Sequence, residues 1–351
     1  SIASVDSGGI FHVGPESAGA MPGPACYGQG GTQATVTDAN VVLGYLAARA
    51  FMGGKRPLDA SAAEAAIDRL AARLNITRIE AAAGIFRLVN LKMADGIRLM
   101  TVRRGVDPRR FALLSFGGAA GLHAAELARE LELERIIVPT TASVLSAWGM
   151  LTSDLRYEVS RTHFETGARS TATEVRGIFA ELERQAVTRM EGWFDGPVKV
   201  ERSAEMRYGE QIFEIDVPLD GIDLDSPSLI PEMEDRFHRR HEELYTYASR
   251  DQEVVFVNAR VAAIGAVAAP AAAEAAITSS APCTPRSRRK AFFGEWREVP
   301  VYALDDLGPG QGLEGPAIVE AETTTVVINT GDRLTVNALG WLDIRVAKAH
   351  A

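Results

Sequence analysis

"FALLSFGGAAGLHAAELARELELERIIVP", residues 111–139, sets an apolar run, a glycine pair, an alanine-rich amphipathic stretch and a second apolar run in series. Strand, tight turn, helix and strand at this spacing predict a β–α–β unit, and with it an α/β layer with parallel strands. The turn itself supports two readings. Gly117 and Gly118 would let backbone approach a ligand without a Cβ in the way, and the N-terminus of the helix that follows would offer free N–H groups to an anion. The spacing matches neither familiar phosphate loop: there is no G-x-x-x-x-G-K-[ST], and "FGGAAG" is not G-x-G-x-x-G with an acidic ribose partner. A plain structural turn therefore stands beside a nucleotide turn. His123, in the first turn of the helix, contacts a ligand on one reading and covers the sheet edge on the other.

The 351 residues suffice for two domains, and 46% apolar with 24% charged residues is ordinary for a globular chain. A formal net charge of −9 argues against nucleic acid as a partner. The one basic cluster, "PRSRRK" at 285–290, lies beside an Ala/Pro/Ser-rich stretch and is expected to be a solvated linker. No apolar run approaches a membrane span, and no signal peptide is visible. Two cysteines, Cys26 and Cys283, fit a reducing compartment, so a cytoplasmic location is expected. The chain opens on Ser1 with a strand-like run, which reads as a processed product or the latter part of something longer.

Working outward, "SIASVDSGGIFHVG" predicts a hairpin, and residues 15–40 form a long Gly/Pro-rich stretch expected to be functional rather than disordered. Helical patterns follow at "DANVVLGYLAA", with Asp38 as N-cap, at "DASAAEAAIDRLAARLN", and at "RIEAAAGIFRLVNLKMADGIRLMTVRRG". After the β–α–β unit, "TTASVLSAWGMLTSD" gives a turn and a short helix. From residue 155 strands and amphipathic helices alternate, and the tail after "AAPAAAEAAITSSAPCTPRSRR" is all β.

Three local features invite chemistry. In "HRRHEELY", His238, His241 and Glu242 share one helix, but without the H-E-x-x-H arrangement; alternating acids and bases suggest a solvated helix face. Cys26 in "PGPACYG" has no second cysteine nearby and reads as a small buried residue rather than a reactive thiol. "GGT" at 30–32 has no apolar strand feeding it. No spacing in the chain reads as a resident metal site.

Several stretches together resemble the hydantoinase A/oxoprolinase family, which includes the β subunit of acetone carboxylase. The resemblance rests on residues 1–44, on "VNLKMADGIRLMTVRRGVDPRRFALLSFGGAAGLHAAELARELELERIIVP" with its continuation "VLSAWGML", and on "MRYGEQIFEI", "FHRRHEELYTY" and "EGPAIVEAETTTVV". One departure stands out: the family writes "FGGAGPLHA", and this chain has Ala120 and Gly121 where glycine and proline are expected.

The resemblance implies an α/β fold: the distal lobe of an actin-like ATPase of the sugar kinase and heat-shock type at 1–154, then an α+β, β-rich C-terminal domain at 155–351. It implies that Gly117, Gly118, Ala119 and Ala120 form the adenosine-side loop of an ATP cleft, with Asp38 and His123 as catalytic candidates. It further implies ATP with Mg2+, with Mn2+ or Zn2+ left open for a partner subunit. The partners implied are the N-terminal half of the same subunit, which carries the phosphate loops, and a second catalytic subunit of hydantoinase B type. The activity implied is phosphorylation of a carbonyl or amide oxygen. "RYGEQIFEI" and "EAETTTVV" lean toward ketone carboxylation, with ATP-driven opening of a cyclic amide such as a hydantoin or 5-oxoproline as the alternative, and a non-catalytic assembly subunit as the reading from another class.

Overall fold

A computed structural model describes residues 1–268 and 283–348. Its elements follow the local signals closely. The hairpin β1 (Ala3–Val5) and β2 (Phe11–Val13) precedes α1 (Val36–Val42), α2 (Ala60–Leu74) and α3 (Arg78–Met100). Thr35 and Thr77 each start their helix with a reciprocal capping box, closed by Asp38 and Glu80. The N-cap of α1 is thus Thr35; Asp38 sits three residues inside, because the threonine reaches the orphan N–H first. Then come β3 (Leu113–Leu114), α4 (Ala120–Glu130), β4 (Arg135–Val138) and α5 (Leu145–Thr152). β3 and β4 pair in parallel around α4, as the opening stretch predicts.

Next are β5 (Leu155–Thr166), α6 (Ala172–Glu191), β6 (Val198–Tyr208), β7 (Ile215–Pro218), α7 (Leu229–Tyr245) and β8 (Val254–Gly265). The remaining strands are β9 (Ser287–Phe292), β10 (Trp296–Ala303), β11 (Gly312–Glu314), β12 (Ala317–Glu320), β13 (Thr325–Ile328), β14 (Arg333–Val336) and β15 (Leu342–Arg345).

Two compact units result: Ser1–Trp148 with Ala271–Ala351, and Gly149–Pro270. The expected division at 154/155 falls near the start of the second unit, while the late strands, expected with the C-terminal domain, cluster with the first. The late strands belong with the first unit because β15 pairs antiparallel with β4, giving the sheet order β11-β14-β15-β4-β3. A parallel pair is thereby extended by antiparallel strands. A second sheet of the same unit, β13-β12-β10-β9, packs its apolar residues with α1 to α3; Ile318, Val327 and Val301 share one buried cluster with Ile67, Ile85 and Leu43.

In the other unit the order is β5-β8-β6-β7, all antiparallel. Alternate residues of one face, Ala204, Met206 and Tyr208 with Ala259 and Val261, bury against Phe179 and Leu182 of α6 and Phe237 of α7. Arg260, one register step away, ion-pairs with Glu158 and Glu205 at 3.2 and 3.1 Å. One face is dry and the other wet, as a one-sided antiparallel sheet requires.

The basic cluster at 285–290 corrects its expectation. Its last four residues open strand β9, paired with β10, and Arg289 binds Glu320 at 2.8 Å. Expected as a crossing, the Ala/Pro/Ser-rich run lies outside the described residues as far as residue 282. Among the described residues no helix is long and apolar enough to cross a membrane.

Candidate functional site

The turn after β3 is held from three sides. Gly117 adopts φ 101°, a left-handed conformation natural only to glycine. Its N–H donates to the Ala142 carbonyl at 2.7 Å, and its own carbonyl accepts from Thr324 Oγ1 at 3.4 Å. Beside it, Thr323 Oγ1 donates to Ser143 Oγ at 2.6 Å. Helix α4 then starts behind Ala119, which has no side-chain oxygen, so its first N–H groups carry no side-chain cap. The helix lies hard against β13: a Cβ on Gly121 would fall 2.6 Å from the Thr325 carbonyl. Glycine at 121 is what this approach needs.

The turn opens on a cavity of about 350 Å3. One wall is Gly118, Ala119, Leu122 and His123; another is the turn from Glu320 to Thr325 between β12 and β13; α1 and the segment after it close the rest, with Val36, Asn40, Leu46 and Phe51. The acids at its edge are neutralised, Glu320 by Arg289 and Glu322 by Lys55 at 2.5 Å. Asn40 is 2% exposed, and its Oδ1 is buried without a hydrogen-bond partner. An unsatisfied buried carbonyl is costly in a closed protein, so this one fits a ligand that brings a donor.

His123 is buried and stacks on Phe86, ring centroids 4.9 Å apart. Its Nδ1 meets Asn90 Oδ1 at 2.9 Å. An amide oxygen only accepts, so the ring proton sits on Nδ1 and Nε2 is left as an acceptor. Burial pushes the imidazole pKa down to about 4, which keeps the ring neutral near pH 7.

Of the expected site residues, Gly118, Ala119 and His123 meet in this cavity. Gly117 shapes the turn behind it, and Ala120 opens α4. Asp38 is elsewhere. Fully buried, it accepts from the N–H groups of Ala25, Cys26 and Thr35 and from Thr35 Oγ1, at 2.7 to 3.3 Å. Four donors use up what a carboxylate can accept. Its work is to pin the Gly/Pro-rich stretch to α1, and the catalytic role expected of it finds no support in this geometry. Cys26 is fully buried beside it, and burial pushes the thiol pKa far up, so the unreactive reading holds.

His238 and His241 also depart from expectation. They face the core rather than solvent, His238 Nδ1 meeting the Tyr208 hydroxyl at 2.8 Å. Sequence reasoning missed Asn40 and the Glu320–Thr325 turn. A polar residue on the buried face of α1 was the available signal for the first; the threonine run had none until β12 and β13 were paired.

A family model described as hydantoinase/oxoprolinase matches residues 1–159, and one described as hydantoinase/oxoprolinase C-terminal domain matches residues 163–346. The chain belongs to the hydantoinase/oxoprolinase family. Within that family, the caprolactamase subunit alpha of Pseudomonas jessenii is 38% identical over 352 residues, covering 96% of this chain and 50% of the relative. The crystal structure of ATP-dependent caprolactamase from that organism matches with a TM-score of 0.77 at 36% identity, over 98% of this chain and 51% of that one. The acetophenone carboxylase gamma subunit of Aromatoleum aromaticum is 34% identical, over 97% of this chain and 48% of its own length. A nucleotide-free acetone carboxylase structure, 23% identical, shares the fold with a TM-score of 0.81 over 99% of this chain and 51% of that one. The chain spans about half the length of the relatives it matches here. The α/β fold with a β-rich C-terminal region is common to the hydantoinase/oxoprolinase chain and these structures.

Proposed function

We propose that the 350 Å3 cavity takes the adenosine part of ATP, in the distal lobe of an actin-like ATPase domain, and that the chain belongs to a subunit that phosphorylates a carbonyl or amide oxygen for a partner subunit. The observation that carries this reading is the clamped Gly117–Gly118 turn with an uncapped helix behind it, opening on the buried, unpartnered Asn40. Gly118 and Ala119 let the ligand lie close to backbone. Asn40 Oδ1 and the neutral His123 Nε2 are acceptors suited to N–H and O–H donors of a nucleoside, and the N-terminus of α4 favours its anionic side. His123 positions the ligand and holds no charge to transfer a proton at neutral pH.

ATP would supply the phosphoryl group, with Mg2+ offsetting charge on the phosphates. Donors around the β- and γ-phosphates are assigned to the N-terminal half of such a subunit. Carbonyl chemistry, with any Mn2+ or Zn2+, is assigned to a partner of hydantoinase B type. Relatives stand on both sides of the substrate question, one named a caprolactamase and one an acetophenone carboxylase. The proposal is therefore placed at the step they would share, oxygen phosphorylation, with a small ketone or cyclic amide as substrate.

The test is Gly118→Val in the complete subunit. A Cβ there already lies 3.0 Å from the Thr323 carbonyl, and the added methyl groups would crowd the cavity. ATP affinity should fall at least about tenfold, roughly 1.4 kcal/mol, with the circular dichroism spectrum unchanged. Unaltered affinity in the folded variant would overturn the assignment. Tight ATP binding with no phosphate release on either a lactam or a ketone with bicarbonate would favour the assembly-subunit reading instead.

A further inference from the structure

We propose that a second cavity, on the far side of the Phe86–Asn90–His123 wall from the first, binds a small carboxylate carried on an apolar ring. This cavity encloses about 770 Å3. Helix α3 faces it with Ala83, Phe86, Arg87 and Asn90, spaced as one stripe of a helix. Asn90 is 2% exposed, and its amide Nδ2 has no hydrogen-bond partner while Oδ1 is committed to His123. One turn earlier, Arg87 has no ion-pair or hydrogen-bond partner among the described residues. A buried amide donor and a free guanidinium on the same face call for an acceptor carrying negative charge.

The rest of the lining decides the ligand's body. Tyr45 is fixed by its hydroxyl, which donates to the Phe292 carbonyl at 2.6 Å, and its ring meets Phe86 at 5.1 Å and Phe293 at 5.7 Å. These rings form an apolar wall suited to a flat or cyclic hydrocarbon body. Among the charges, Arg87, Arg129 and Lys348 stand against Glu126 and Glu130. Glu126 is engaged by the Asn329 amide and Arg129, and Arg129 also holds Asp332, so neither competes for the ligand. Glu130 is shared with a neighbouring surface cleft near Arg98 and marks the rim.

The site has a consequence across the wall. A carboxylate accepting from Asn90 Nδ2 keeps Oδ1 turned to His123 Nδ1, so its binding is felt at the imidazole in the other cavity.

Benzoate is the probe, with benzyl alcohol as its neutral counterpart, titrated into the full chain by saturation-transfer NMR and calorimetry. Benzoate should bind saturably, and benzyl alcohol roughly tenfold or more weaker, since charge-assisted hydrogen bonds are lost. Arg87→Gln, an exposed position that should not disturb folding, should weaken benzoate by a similar factor. In the wild type the His123 ring nitrogens should shift on titration; in Asn90→Leu they should not. Absence of benzoate binding, equal binding of the alcohol, an unaffected Arg87→Gln variant, or a silent His123 would each overturn the proposal. So would displacement of benzoate by ATP, which would place it in the first cavity.

Discussion

His123 and His241 are both buried, both helical and both set against aromatic rings, yet they differ in what is left over. His241 donates from Nδ1 to the Tyr247 carbonyl at 2.8 Å and accepts at Nε2 from the Gln211 amide at 2.8 Å, with Tyr208, Phe237, Tyr245 and Tyr247 around the ring. Both nitrogens are spent. The ring ties the β6–β7 turn to the segment after α7, and no capacity remains for a ligand. His123 spends one nitrogen on Asn90 and keeps the other beside a cavity. Burial of a histidine says little about function; unspent hydrogen-bonding capacity next to space says a good deal more.

Asp38 falls on the His241 side of this comparison, and it offers the largest test. Asp38→Ala would leave two buried loop N–H groups and the Thr35 pair without their acceptor, costing roughly 4 kcal/mol in urea unfolding. Asp38→Asn should also destabilise, by roughly 2 kcal/mol, because its amide would point N–H at donors. If either variant kept full stability and lost only turnover, Asp38 would belong with His123 instead.

The second test reads His123 itself. An imidazole free in the unfolded chain titrates near 6.5, and in the folded chain at about 4. Between these values the unfolded state binds more protons, so stability is full above about pH 6.5 and declines as pH falls toward 4. The loss should reach about 3 kcal/mol. His123→Gln should flatten that part of the stability curve, and the difference between the two curves isolates this one ring. Identical curves would mean that the imidazole is not desolvated and that the contrast with His241 fails.

The smallest effect sharpens the other side. His241→Leu should cost roughly 2 kcal/mol by stranding the Tyr247 carbonyl and the Gln211 amide, and it should leave ATP affinity untouched in the complete subunit. A change in nucleotide affinity there would show that His241 does more than staple its own unit.

Much of this was legible from residues alone. The β–α–β unit, the opening hairpin, α2, α3, α6 and α7 all carry their periodicity and caps within short windows, so local chemistry was enough. The sequence reading failed where partners were distant. "PRSRRK" looked solvated because nothing near it showed Glu320, which neutralises Arg289 from 31 residues away. "EMEDRFHRRHEE" looked like a wet face because acids and bases outnumber its apolar residues, although Phe237, His238 and His241 point inward together. Half of the candidate site was visible in "FGGAAGLHA". The other half, Asn40 and the Glu320–Thr325 turn, is chemically unremarkable in sequence and becomes a wall only through pairing between remote strands.

The pairing of β4 with β15 also governs the order in which the molecule can be made. Arg135 and Asp343, joined by a hydrogen-bonded ion pair at 2.6 Å across those strands, lie 208 residues apart in the chain. Closing a loop of that length is entropically slow relative to local pairing. The Gly149–Pro270 unit needs only its own residues and can finish first. Until the last strands arrive, the apolar faces of α3 and α4 and the edge of β4 stay uncovered, the kind of surface on which nascent chains stick to one another or are held by chaperones. The cavity is thus among the last features to form during synthesis, and a chain that stalls before residue 320 lacks the wall made by the Glu320–Thr325 turn.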